Sequence, residues 1–143
     1  QAYKTWSGKP MFVEHKSEDT KTAVGVIIDV AMKKVVGFGQ DKLYKIVCLA
    51  AIDRTKNPEV AAKLESGALN SFSMGAMVQK YTCSVCDAEI DKCSHISSSN
   101  QIDFYERGGQ LAYRIVHGIV GYELSVVADP AYAVALSDYT MKF

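Results

Sequence analysis

The chain has 143 residues, 48% of them hydrophobic, which is enough for one domain with a real core. Sixteen basic residues balance sixteen acidic ones, so no broad field draws the protein to nucleic acid or to an anionic membrane. No apolar run approaches the roughly 20 residues that a bilayer-spanning helix needs, and the first residues carry no signal-peptide pattern.

Gln1 stands where an initiator methionine would, which reads as a piece cut or processed from a longer chain. Trp6-Ser7-Gly8-Lys9-Pro10 makes a turn before the short apolar run Met11-Phe12-Val13, and His15 follows that run. Glu18-Asp19-Thr20-Lys21 is a polar loop. Val24 to Val30 is rich in β-branched residues and predicts a strand, with Gly25 marking a bulge or a close backbone approach. A second short strand is expected from Lys34 to Phe38. Leu43 to Ile52 is long and apolar and suits a strand buried on both faces.

Asn57-Pro58-Glu59 then sets a helix start, with an N-cap residue, proline at the first helical position and an acid in the first turn. Val60, Ala61 and Leu64 form its apolar stripe, and Gly67 ends it. From Leu69 to Val78 the chain alternates as a strand does. Phe72, Met74, Ala76 and Val78 face one way, and Ser71, Ser73, Gly75 and Met77 the other. A serine beside a glycine on a strand suits a nucleophile, because the missing side chain lets a substrate backbone come close. Small hydroxyl residues on strands are also common without any such role, and the alternation cannot choose between Ser71 and Ser73.

Gln110 to Val116 and Ile119 to Ala128 predict two further strands hinged at His117-Gly118, and Asp129-Pro130 closes the second. Ala131 to Leu136 reads as a short helix or an irregular apolar tail.

The spacing Cys83-x2-Cys86-x6-Cys93-x-His95 gathers three thiols and one imidazole within a short polar stretch. That is a four-ligand set which Zn²⁺ takes tetrahedrally, leaving no open position, so the ion would be structural. A redox-active Cys83–Cys86 pair, or unrelated thiols, are the metal-free readings. Cys48 sits apart in an apolar run and reads as core packing. Bunching of three cysteines beside a histidine fits metal binding in a reducing compartment better than two disulfides.

Three separated segments carry a resemblance. Pro10-Met11-Phe12-Val13-Glu14-His15-Lys16 resembles the histidine segment of bacteriophage prohead (capsid maturation) serine proteases. Gly67 to Gly75 is similar to their nucleophile segment, in which the serine is followed by an apolar residue and glycine. Gly121-Tyr122-Glu123-Leu124-Ser125-Val126-Val127-Ala128-Asp129-Pro130-Ala131 resembles their last signature, an acid before an apolar strand ending in Pro-Ala. The order of the three also matches, and the cysteine-bearing insert departs from shorter members of the family.

The resemblance implies the fold of herpesvirus assembly proteases, a mostly antiparallel β-barrel with flanking helices (an α+β, mostly β class). It implies a single protease domain over residues 1–143 with a zinc-knuckle insert at about 81–100. Ser73 would be the nucleophile, His15 the general base and Glu123 the residue that orients the imidazole, with His117 as the competing third member. The implied activity is endopeptidase cleavage of phage scaffold and major capsid proteins, with self-processing, inside a prohead assembling in the infected bacterial cytoplasm. A homodimer is an assembly worth testing on the same ground. Neither a nucleic acid nor a membrane is an expected partner; Asp87, Glu89 and Asp91 stand against Lys92 alone around the cysteines and would repel phosphate. The rival reading is a zinc-stabilised scaffold or binding module with a degenerate triad.

Overall fold

The computed structural model describes residues 1–35, 44–96, 104–107, 110–130 and 135–137. Among the described residues, eight strands and one α-helix make it mostly β. A five-stranded sheet, in the order β3-β2-β1-β8-β4, curls into a half-barrel, and a three-stranded sheet has the order β5-β7-β6. The strands are β1 (Pro10–Val13), β2 (Gly25–Lys34), β3 (Tyr44–Ile52), β4 (Phe72–Met77), β5 (Lys80–Cys83), β6 (Phe104–Arg107), β7 (Gln110–His117) and β8 (Val120–Val126). The chain divides into two compact units, one of residues 1–76 with 120–143 and one of residues 77–119. The expected insert at about 81–100 thus belongs to a larger unit that includes β5, β6 and β7. No helix among the described residues is long and apolar enough to cross a membrane.

In the first unit, β1 lies at the centre of the sheet, antiparallel to β2 and parallel to β8, with Met11, Phe12 and Val13 opposite Leu124, Ser125 and Val126. Met11, Phe12, Ile27, Leu124 and Val126 are all buried, so the three inner strands β2, β1 and β8 supply much of the core. A parallel neighbour requires a long crossover; here everything between residue 13 and residue 120 intervenes, including the whole second unit.

β2 shows why strict alternation fails. Ile27 and Val30 are three apart yet both buried. The register slips between Ile27, paired with Ala50, and Asp29, paired with Leu49, so Ile28 is an extra residue that resets the phase. Gly25 is a close approach, as expected: a methyl there would overlap the Ala51 carbonyl. β3 corrects the sequence reading. It is an edge strand and not one buried on both faces, and Leu49 is 53% exposed. An apolar run gives no sign of which strand will end a sheet. Lys34 is the end of β2, and residues 36–38 of the second expected strand lie outside the described residues.

The helix α1 (Pro58–Glu65) has Pro58 in its first turn and Ser66 as C-cap, and Gly67 follows at φ 75°, the left-handed stop that glycine permits. Asn57 does not cap with its side chain; its amide instead donates to the Val24 carbonyl at 3.3 Å, tying the helix start to β2. The tail reading of 131–136 falls mostly outside the described residues, but Leu136 bridges to Ser71, and Phe72 N–H donates to the Ala135 carbonyl at 2.8 Å.

Candidate functional site

His15 follows the end of β1 in an unusual backbone. Glu14 and His15 have φ of 52° and 55°, both in the left-handed region that non-glycine residues rarely take. Such strain persists only where surrounding contacts enforce it. Here Glu14 N–H donates to the Val126 carbonyl at 2.9 Å, and its carboxylate accepts from Ala128 N–H at 2.7 Å. Lys16 N–H and Ser17 N–H close the turn onto Val13 and His15 carbonyls. The result aims the imidazole back along β8.

There it meets Glu123. Nδ1 of His15 lies 2.8 Å from Oε1 of Glu123, although 108 residues separate them. Glu123 is fully buried while His15 is 46% exposed. A carboxylate accepts hydrogen bonds, so opposite it Nδ1 is the donor of this pair, the tautomer that leaves Nε2 as the acceptor nitrogen of a neutral imidazole. The second carboxylate oxygen is also engaged: Ser125 Oγ donates to Oε2 at 2.5 Å, and Ser125 is itself fully buried. A buried charge without partners would be prohibitive; this one has a donor on each oxygen.

β4 borders β8, and contacts at its two ends place Ser73. Val127 N–H donates to the Ser71 carbonyl at 3.1 Å, and Gly75 packs against the Glu123 side chain so closely that a methyl would overlap its Oε1 and Cγ. Ser73 lies between those anchors, beside the Ser125 region of β8. Alternation along β4 puts its side chain on the face Gly75 shares, towards the carboxylate. Ser73 is half-buried, and no hydrogen bond joins it to His15. Catalytic hydrogen bonds are often long before substrate binds. The space that Gly75 leaves is filled by Glu123, so its role is to seat the carboxylate and not to admit a substrate backbone. The Ser71 hydroxyl donates to Asn70 Oδ1 at 3.2 Å.

Trp6 completes the frame. It is buried against Gly121, where a methyl would overlap the indole ring, and its Nε1–H donates to the Gly75 carbonyl at 3.2 Å. Neither Trp6 nor Ser125 stands out in the sequence as part of a site. The one available signal for Ser125 was the Glu-x-Ser spacing, which places both side chains on one face of a strand.

His117, the alternative third member, belongs to the second unit. It pairs with Lys80 across the sheet, and its Nε2 is 2.8 Å from Oγ1 of the buried Thr82. The hydrogen-bond partner that the structure gives the His15 imidazole is Glu123.

The second unit also holds the cysteine cluster. Cys83 ends β5; Asp87 N–H donates to the Cys83 carbonyl at 2.9 Å, and Cys83 N–H donates to the Ala88 carbonyl at 2.9 Å, with Asp87 at φ 57° making the tight turn. A short 3-10 turn, Ile90–Lys92, then delivers Cys93. The ligand atoms of Cys83, Cys86, Cys93 and His95 all lie within 4.8 Å of one another, so the four can hold one metal ion. Burial opposes the Cys83 thiolate, but N–H groups of Val85 and Cys86, together with the neighbouring thiols, outweigh it and bring this thiol below its ordinary range. Cys48 is half-buried, and burial pushes its thiol up, away from the thiolate a nucleophile needs.

Comparison with protein-family models, with curated proteins and with solved structures finds no match to this chain.

Proposed function

We propose that this chain is a serine endopeptidase of the prohead-maturation type, which trims phage scaffold and major capsid proteins and processes itself in the assembling head. The observation that carries the reading is the 2.8 Å contact between His15 Nδ1 and the wholly buried Glu123, on the strand next to Ser73. The resemblance of three segments to the prohead proteases supplies the substrate class and the herpesvirus-like barrel; the geometry of the pair supplies the chemistry.

In that chemistry Ser73 Oγ attacks a scissile carbonyl while His15 Nε2 takes its proton. The new C–O bond makes a tetrahedral intermediate. Its collapse breaks the C–N bond, and the proton passes from Nε2 to the departing amine. Water, deprotonated by the same nitrogen, then attacks the acyl carbon; the C–Oγ bond breaks, the proton returns from Nε2 to Ser73 Oγ, and the acid leaves. The Glu123 carboxylate, 2.8 Å from Nδ1, orients the ring and stabilises the transient imidazolium.

Zinc is the ion we assign to the cysteine cluster, in a structural role. A tetrahedral ion with Zn–S bonds of about 2.3 Å sets its sulfur ligands about 3.8 Å apart. The Cys86–Cys93 sulfur separation is 3.7 Å and the Cys93 sulfur lies 3.8 Å from His95 Nδ1. Four protein ligands leave no place for a substrate.

The test is labelling by a fluorophosphonate together with cleavage of co-expressed scaffold. Wild type should be labelled and cleave, and Ser73→Ala should do neither while remaining folded. Retained cleavage by Ser73→Ala sinks the assignment. The lack of a hydrogen bond between Ser73 and His15 favours a second reading, a zinc-stabilised scaffold or binding module without catalysis. Absence of any label on wild type would select it.

A further inference from the structure

We propose that Ser125 is a positioning residue: its hydroxyl fixes the plane of the Glu123 carboxylate so that Oε1 is held for His15. This rests on the peptidase reading of His15, Glu123 and Ser73.

Three observations lead there. Ser125 Oγ donates to Glu123 Oε2, and both residues are fully buried. Loss of the hydroxyl removes the donor that the structure gives to this buried carboxylate oxygen. The terminal torsion of a glutamate is broad and roughly two-fold, so its preferred rotamer does little to choose which oxygen faces the imidazole. A donor on one oxygen makes that choice. Finally, Ser125 is held in place from both sides: β8 lies between β1 and β4, and Ser125 sits opposite Phe12 in the parallel register.

The same burial tells the two serines apart. Ser125 has no exposure and cannot reach a substrate, whereas Ser73, in the adjoining stretch of β4, is only half-buried. One hydroxyl is placed to attack and the other to orient. Gly75 closes the third side of the seat, because the carboxylate fills the space that a side chain there would need.

The role makes a kinetic distinction. Ser125 touches no substrate, so Ser125→Ala should lower kcat by about 10- to 100-fold and leave KM nearly unchanged. Hydrolysis of p-nitrophenyl acetate by the full chain reads this, since that small ester reports acyl transfer without side-chain specificity. Ser125→Thr keeps the hydroxyl and should recover most of kcat. Ser125→Cys keeps the volume with a weaker donor and should fall between, and it serves as the measured variant if the alanine or threonine chain does not fold.

A second readout is independent of turnover. In a Ser73→Ala background, the Nδ1–H proton of His15 should give a downfield NMR resonance through its hydrogen bond to Glu123. Ser125→Ala, or Ser125→Cys in its place, should move or broaden that resonance. An unmoved resonance, or a kcat equal to that of wild type, overturns the positioning role. Failure of wild type to hydrolyse the ester or take a fluorophosphonate label overturns the peptidase reading instead, and the resonance still decides whether Ser125 orients the pair.

Discussion

Glu123→Gln is the sharpest perturbation of the site. The substitution keeps the volume and leaves an acceptor for Ser125, so the fold should survive, but it removes the charge 2.8 Å from His15 Nδ1. With charge centres about 4 Å apart, an imidazolium and a carboxylate attract by about 4 kcal/mol at an effective dielectric of about 20. The imidazole is 46% exposed, and water screens part of that. About 3 kcal/mol remains, or roughly two decades in rate. An amide also has a donor end. If its NH2 turns toward Nδ1, the ring must take the opposite tautomer and lose its base on the Ser73 side. In the Ser-His-Asp template the matching carboxylate-to-amide change costs about 10⁴ in kcat for this reason. The expected loss is therefore about 10²- to 10⁴-fold in the second-order rate of fluorophosphonate labelling, with circular dichroism and thermal unfolding near those of wild type. A folded variant that loses less than about tenfold would refute the claim that this carboxylate supports the imidazole.

Gly75→Ala should act on the same carboxylate from the other side. The added methyl overlaps Glu123 Oε1 and Cγ, and relieving it should cost about 1–3 kcal/mol of stability and lower labelling at least tenfold, as read by thermal melts and label incorporation. Protein purified under reducing conditions should carry about one zinc per chain by metal analysis, and a strong chelator should unfold residues 77–119, seen as loss of amide protection there. Cys93→Ser should weaken metal retention in the same assay; undiminished zinc in that variant would remove Cys93 from the ligand set. Because burial raises the Cys48 thiol, its thiolate fraction at pH 8 is below that of a free cysteine. With the second-unit thiols held by zinc, its reaction with a disulfide reagent at pH 8 should lag behind free cysteine, and the gap should narrow as pH rises.

Local signals were legible wherever neighbouring residues decide the outcome. The helix at Pro58–Glu65 began and ended where proline and Gly67 said it would, because capping is a matter of a few adjacent dihedrals. The cysteine cluster was readable for the same reason: four ligands within one short loop need little help from the rest of the chain to converge. Strand β4 (Phe72–Met77) lies inside the stretch whose alternation predicted it. The burial of β3 was not legible, since an apolar run has the same appearance at the centre of a sheet and at its edge. Nor was the phase of β2, which a single bulged residue reverses.

By itself, then, the sequence determined the mostly β character, the helix at Pro58–Glu65, the Cys83-Cys86-Cys93-His95 cluster able to hold a metal ion and the residue types available for acid–base chemistry. Tertiary structure alone decided which of them meet. His15 and Glu123 are 108 residues apart, and only the parallel pairing of β1 with β8 brings the turn after one strand over the face of the other. The same strand β8 carries the buried Ser125, whose hydroxyl donates to Glu123, while His117 contacts Thr82 within the second unit. Hydrogen bonds between strands have no sequence range, so their partners are chosen by how the whole chain packs and not by what stands next to each residue.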